Sequence, residues 1–176
     1  MDQLSREEIS HLLRKTVLFL VFTALVVFLP SWTLNYWQGW LYLIVFSALT
    51  VGGALYFIKH DPALVRRRTN VGAAAETEPS QKRIMAFNSV ALVVTMVVAP
   101  LDHRFMWSNV PAVVSIIALA LVVAGYALTV ATLINNSWAA ATIRVEPNQP
   151  VVSTGLYAWV RHPMYTGGGN CLASAR

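Results

Sequence analysis

Residues 16–58 decide the fold, and they read TVLFLVFTALVVFLPSWTLNYWQGWLYLIVFSALTVGGALYFI. This run is 43 residues long and contains no Asp, Glu, Lys or Arg. One helix needs about 20 apolar residues to cross the hydrocarbon core of a bilayer, so the run is long enough for two crossings. Because that core offers no water to unpaired backbone groups, helices are the expected spanning structure. The run therefore predicts a pair of membrane-spanning helices.

Two further charge-free runs, residues 84–101 and 105–143, each leave room for one more crossing. The predicted spans are Val17–Leu34, Gly39–Ile58, Ile84–Leu101 and Val110–Ile134. The first span is expected to be an uncleaved anchor, because bulky residues follow it where a signal peptide has small ones. Charged residues make up 12% of the chain, about half the share usual in soluble domains. The predicted fold class is all-α, a polytopic integral membrane protein with four transmembrane helices and an incomplete fifth.

The basic residues are distributed very unevenly about these spans. With the amino terminus inside, only Arg104 lies on the outer side, and twelve of the 13 basic residues lie on the inner side. The positive-inside rule therefore predicts a cytoplasmic amino terminus. The net charge of +5 reports topology rather than a nucleic-acid partner. The three successive arginines at 66–68 are interpreted in the same way, as a report of topology. The functional alternative is that they contact anionic lipid headgroups.

The segments between the spans offer little catalytic chemistry. The inner segment Lys59–Arg83 is expected to be a loop, and Asp102-His103-Arg104 a short outer loop whose charges serve solvation rather than acid–base catalysis. Residues 31–38 are rich in Trp and Tyr, as in an aromatic belt at the membrane surface. The single cysteine, Cys171, excludes an internal disulfide and a cysteine-based zinc cluster, so no metal is predicted.

The distinctive chemistry lies after the fourth span, where residues 151–167 read VVSTGLYAWVRHPMYTG. Pro163 suits the first position of a helix, which places His162 at a bend just before it. A helix amino terminus attracts a carboxylate or a phosphate, and the rings of Tyr157 and Tyr165 attract a cation such as a sulfonium. S-adenosylmethionine carries both groups. On local physics alone, the favoured interpretation is that Arg161 and His162 anchor a fifth helix at the membrane surface.

This run resembles the signature of the isoprenylcysteine carboxyl methyltransferase family, integral membrane enzymes that use S-adenosylmethionine. The order Gly-x-Tyr and then Arg-His-Pro-x-Tyr-x-Gly is specific to that wider group, and the upstream layout resembles bacterial members. The resemblance implies an integral protein of the bacterial plasma membrane that methylates a carboxylate on a lipophilic small molecule or a prenylated substrate. It assigns the cofactor pocket to Val151, Val152, Tyr157, His162, Pro163, Met164 and Tyr165.

The sequence predicts one membrane domain over residues 1–176. Residues 1–134 form its four-helix part, and residues 135–176 form a cytosolic-side cofactor segment with the start of a fifth helix. After Tyr165 the family continues through another span, whereas here eleven residues with three successive glycines follow. Since eleven residues cannot cross a bilayer, we expect a truncated carboxyl terminus, half of the family's pocket and an open question of activity.

Two other functions remain open at this stage. Phospholipid methyltransferases and some membrane reductases that use a nicotinamide cofactor share similar helices and an Arg-His-Pro type of signature. The third hypothesis is a non-catalytic membrane scaffold, in which His162 and Tyr157 would have no role beyond folding.

Overall fold

A computed structural model describes residues 4–68, 79–136 and 155 of the chain. The described residues form five helices: α1 (Arg6–Ser31), α2 (Trp37–His60), α3 (Pro62–Arg68), α4 (Pro79–Phe105) and α5 (Ala112–Asn135). All of these except α3 are long and apolar enough to cross a membrane. The described part of the chain contains no strand. The all-α class and the four predicted spans are thus confirmed, and the incomplete fifth span lies outside the described residues.

The four long helices run alternately up and down, so the bundle has two ends. α1 packs against α4 and α2, while α2 also packs against α5 and α3. One end contains α3, the start of α1 and the ends of α2 and α5; we call it the α3 end. The other contains the end of α1, the connection to α2 at Tyr36, and the start of α5; we call it the Tyr36 end.

The interior of the bundle is narrow, and most large apolar side chains point outward. On α1 the buried residues are Thr23, Val27 and Ser31, which are spaced by four and share one face of the helix. Leu121 on α5 is 68% exposed. Because lipid tails are as apolar as leucine, such outward residues are stable in a bilayer and need no protein partner.

Polar side chains inside the spans bond to their own helix. The hydroxyl of Thr23 donates to the carbonyl of Phe19 at 2.9 Å, and that of Thr132 donates to Leu128 at 2.8 Å. Both bonds reach back four residues, the usual pattern for helical Ser and Thr. These hydroxyls are therefore satisfied without water, as a hydrocarbon environment requires.

Several helices extend beyond the predicted spans, since a helix can continue into the polar region of the membrane surface. α1 begins at Arg6, where Ser5 and Glu8 form a capping box: the Ser5 backbone donates to Glu8 Oε2 at 2.8 Å, and the Glu8 backbone donates to Ser5 Oγ at 3.1 Å. α4 continues to Phe105, so Asp102-His103-Arg104 is the last turn of a helix rather than the predicted loop.

The predicted inner loop Lys59–Arg83 is wrong in its first part, because residues 62–68 form α3. Asp61 caps this helix: its Oδ1 accepts from the backbone N–H of Leu64 at 2.9 Å. Pro62 then occupies the first helical position, where its missing N–H has no cost. The Asp-Pro pair is thus a helix start, and it fixes α3 directly beside the end of α2.

Candidate functional site

A cavity of about 270 Å³ lies at the α3 end, where α1, α2, α3 and α5 meet. Its walls are mostly apolar, and they include one cationic side chain. The residues that define it are Leu12, Phe57, Leu64, Arg68, Tyr126 and Leu133. The side chain of Leu64 is only 1% exposed, so α3 is tightly packed where it borders the cavity. This α3-end cavity can accept an apolar group with a negative charge at its edge.

The contact between α2 and α5 in this cavity depends on a glycine. The hydroxyl of Tyr126 lies where a side-chain carbon of residue 53 would stand, and its Cζ would be 3.3 Å from that carbon. Because Gly53 has no side chain, the Tyr126 ring can pack directly against α2. Its neighbour Gly52 has nothing within 4 Å of the same position. Only the second glycine of the pair is needed for helix packing.

An ion pair ties α3 to the start of α1. Arg66 Nε donates to Glu8 Oε1 at 2.8 Å, and Arg66 Nη2 donates to Glu8 Oε2 at 3.2 Å. The two bonds are parallel, which fixes the orientation of the guanidinium as well as its distance. Both side chains are about 40% exposed, so the pair contributes more to orientation than to stability. Glu8 is itself held by the capping box, so it is a fixed partner for Arg66.

Arg68 is the charged residue of the cavity wall. It is half-buried at the end of α3, and this burial lowers the pKa of its guanidinium. Arginine nevertheless keeps its proton in proteins, so Arg68 presents a permanent positive charge beside apolar walls. Its planar group can bind a carboxylate or a phosphate through two parallel hydrogen bonds. The structure thus places a positive charge in the wall of the α3-end cavity.

One residue of the signature run lies within the described part of the chain. Gly155 adopts φ +63°, in the left-handed region, and a side-chain carbon there would lie 2.6 Å from Asn135 Oδ1. Glycine is therefore required at position 155 both by its backbone conformation and by its close approach to the end of α5. Because Asn135 ends α5, Gly155 meets the bundle at the α3 end.

The remaining site residues predicted from the sequence lie outside the described residues, and their positions stay a prediction. They are Val151, Val152, Tyr157, His162, Pro163, Met164 and Tyr165.

Asp102 and His103, which the sequence assigned to solvation, lie at the opposite end and have structural partners. Asp102 Oδ2 accepts a hydrogen bond from Ser108 Oγ at 2.8 Å. The His103 ring stacks on Tyr36 with centroids 4.4 Å apart. Within the residues that the structure describes, no cluster of three or more His, Cys, Asp or Glu could hold a metal ion.

Sequence reasoning missed Arg68, Gly53 and Tyr126. Arg68 belongs to a basic run that predicts topology, and nothing in the run distinguishes the arginine that turns toward the cavity. Gly53 and Tyr126 lie in uniformly apolar spans, where hydropathy does not tell which face meets another helix. The Asp-Pro pair before α3 was a usable signal, because both residues are typical of a helix start.

The described fold and this end of the bundle define a class: a four-span helical membrane protein with an apolar cavity, bordered by one arginine, at the end where Gly155 approaches α5. Residues 112–171 match the model of the isoprenylcysteine carboxyl methyltransferase family. The matched residues are α5 and the signature, about a third of the chain, and they confirm the family resemblance. This segment is thus similar to that family of membrane methyltransferases. Neither the curated proteins nor the solved structures contain a match to the chain.

Proposed function

We propose that the protein transfers a methyl group from S-adenosylmethionine to the carboxylate of a lipophilic substrate. The observation that carries this proposal is the family match over residues 112–171, which includes the whole signature run. The α3-end cavity supports it, since an apolar cavity with one arginine suits an apolar chain that ends in a carboxylate.

The residues proposed for the cofactor have the chemistry that it needs. His162 and Pro163 stand at a predicted helix start, which suits a carboxylate, and Tyr157 and Tyr165 offer aromatic faces to a sulfonium. Val151, Val152 and Met164 would supply apolar contacts to the rest of the molecule. When bound, S-adenosylmethionine supplies a methyl group activated by a positively charged sulfur, and its transfer to a carboxylate requires no proton transfer.

The chain's own contribution is alignment and exclusion of water. In the proposed complex, Arg68 holds the acceptor carboxylate while Phe57, Leu64 and Leu133 surround its apolar chain. A carboxylate is already ionised at neutral pH, so the site needs no strong general base. Orientation of the two reactants can by itself lower the barrier by several kcal/mol, about 7–11 in well-oriented reactions.

The same proposal includes an orientation in the membrane. Of the ten basic residues that the structure describes, nine belong to the α3 side of the spans and Arg104 to the other, which supports a cytoplasmic α3 end and a cytoplasmic amino terminus. A water-soluble cofactor would then reach the signature from the cytoplasm, and the lipophilic acceptor would enter from the bilayer. The bacterial plasma membrane is the location that the family resemblance favours.

Methyl transfer can be tested with the whole chain in phosphatidylcholine nanodiscs. We expect tritium from the labelled methyl group of S-adenosylmethionine to appear in a lipophilic carboxylic acid and to be released by alkali as methanol. Alkali releases methanol from esters, whereas methylated amines and thioethers are stable. We expect His162→Ala and Tyr157→Ala to remove this alkali-labile label.

The other outcomes identify the competing functions. Label that is stable to alkali and travels with phospholipid would support a phospholipid methyltransferase. Binding of NADPH in place of S-adenosylmethionine would support a reductase. Absence of binding of either cofactor, with both variants behaving as wild type, would support a scaffold and overturn the proposal.

A further inference from the structure

The Tyr36 end contains a second and larger cavity, of about 440 Å³, at the opposite end of the bundle from the α3-end cavity and Gly155. Its volume is within the range of about 300–1,000 Å³ that ligand pockets occupy. α4 packs on α1 and α5 packs on α2, so the cavity lies between two helix pairs. Small side chains leave this space open: Ala99 on α4, and Ser115 and Ala118 on α5.

The walls of this Tyr36-end cavity are apolar almost throughout. Val27, Met96, Leu119 and Val122 line it, and their helices cross the bilayer. Empty apolar space forfeits the dispersion contacts that a filled space would provide, and water does not replace them. In a bilayer, the molecule at hand to fill such a space is a lipid chain.

One polar group at the cavity lacks the partner that its burial requires. Gln38 lines the cavity, and its Oε1 is buried without a hydrogen-bond donor among the described residues. A buried acceptor left unsatisfied costs about 1–3 kcal/mol. A hydroxyl group on the occupant of the cavity would supply the missing donor.

The cavity is also at the depth where a lipid changes from chain to headgroup. Tyr36 and Trp37 line its outer part, and the indole N–H of Trp40 donates to the Leu34 carbonyl at 2.8 Å. Trp and Tyr in such positions mark the boundary between hydrocarbon and headgroups. A lipid with its hydroxyl at Gln38 and its chain along Leu119 would therefore stand in its normal orientation.

We propose that the Tyr36-end cavity binds one hydrocarbon chain of a membrane lipid whose headgroup donates a hydroxyl hydrogen bond to Gln38 Oε1. The alternative occupant is a second copy of this chain. The cavity has about the volume of one turn of an α-helix with its side chains, so it cannot take in a spanning helix. This site is separate from the proposed methyl transfer and does not depend on it.

The test uses two photoreactive probes, a long-chain fatty alcohol with a diazirine in its chain and the methyl ether of that alcohol. Both are added to the whole protein in phosphatidylcholine nanodiscs, and the labelled residues are mapped. We expect saturable labelling at the cavity residues, with the alcohol favoured over the ether by about threefold to tenfold, the effect of one hydrogen bond.

Two variants and one matched control sharpen the result. Gln38→Leu removes the acceptor, so the preference for the alcohol should disappear. Ala118→Trp fills the cavity and should reduce labelling at least about tenfold. Ala120→Trp adds the same side chain to the same helix outside the cavity and should label as wild type.

Three results would overturn the proposal. Labelling spread evenly over all outward faces would indicate lipid surrounding the protein only. Equal labelling by alcohol and ether in the wild type would show that Gln38 Oε1 accepts no hydrogen bond from the occupant. A dimer in the wild type that Ala118→Trp dissociates, without saturable labelling, would identify a second copy as the occupant.

Discussion

The α3 end and the Tyr36 end of the bundle are held together by different chemistry. At the α3 end, directional contacts fix individual groups: the Glu8–Arg66 ion pair, the Asp61 cap and the place that Gly53 leaves for Tyr126. At the Tyr36 end, α4 meets the start of α2 through the stacking of His103 on Tyr36, beside local hydrogen bonds such as that from Ser108 Oγ to Asp102 Oδ2. Stacking anchors a helix end at a membrane surface, whereas directional bonds hold a charge in position. The α3 end therefore holds individual charged and aromatic side chains in fixed orientations.

The largest effect should come from filling the glycine position at the α3 end. Gly53→Val forces the Tyr126 ring away from α2, and overpacking of this kind costs about 1–3 kcal/mol. The free energy of unfolding in mixed micelles measures the loss. Gly52→Val is the matched control, since that position has no neighbour within 4 Å and should be nearly neutral. Equal losses in the two variants would show that the close approach does not matter.

The next effect concerns Gly155, the signature residue that the structure describes. Gly155→Ala places a side chain at φ +63° and against Asn135 Oδ1. A left-handed residue other than glycine costs about 1–2 kcal/mol, which corresponds to about tenfold weaker binding of S-adenosylmethionine. Equilibrium binding to the whole protein in nanodiscs measures it.

A double variant separates the effect of the left-handed backbone at Gly155 from the effect of its close contact with Asn135. Asn135→Ala with Gly155→Asn removes the close contact and supplies a residue that tolerates the left-handed region, so it should recover most of the affinity. If Gly155→Ala bound the cofactor as tightly as wild type, the junction between α5 and the signature would have no role in the site.

The smallest effect is at the Tyr36 end and depends on pH. Burial, and secondly the negative charge of Asp102, raise the pKa of Tyr36 above its ordinary value of about 10. The unfolded chain therefore ionises first, so this contribution to stability is complete below about pH 10 and is lost as the pH rises through the folded pKa. Unfolding free energies on both sides of about pH 10 should show a decline that is smaller in Tyr36→Phe than in the wild type.

Asp102→Asn provides the control for that measurement. Because burial is the larger cause, this variant should lower the pKa of Tyr36 only part of the way to its ordinary value. A pKa of Tyr36 that did not respond to Asp102→Asn would mean that the two groups do not interact.

The sequence predicted the number of spans because a charge in the hydrocarbon core is costly, so charge-free runs mark the crossings. It misplaced the ends of α1 and α4, since Arg6–Arg14 and Asp102–Arg104 can remain helical where water solvates them. Tertiary packing determines that Arg68 and Tyr126 face the α3-end cavity. Neither a basic run nor an apolar span indicates in advance which of its residues will do so. The cofactor residues follow from resemblance, and of their run the structure describes Gly155.

The most direct measurement compares two arginines, one at each end of the bundle. Methyl transfer to a lipophilic acid is measured for the wild type, Arg68→Gln and Arg104→Gln, with the corresponding amide as an uncharged competitor. Arg104 lies over the rings of Trp32 and Phe105 at the Tyr36 end, so its substitution removes one positive charge at the opposite end from the α3-end cavity. We predict that Arg68→Gln raises the KM for the acid by about tenfold or more, and that Arg104→Gln leaves it unchanged. Equal KM values in all three proteins, or no transfer by the wild type, would contradict a methyl-acceptor site at the α3 end.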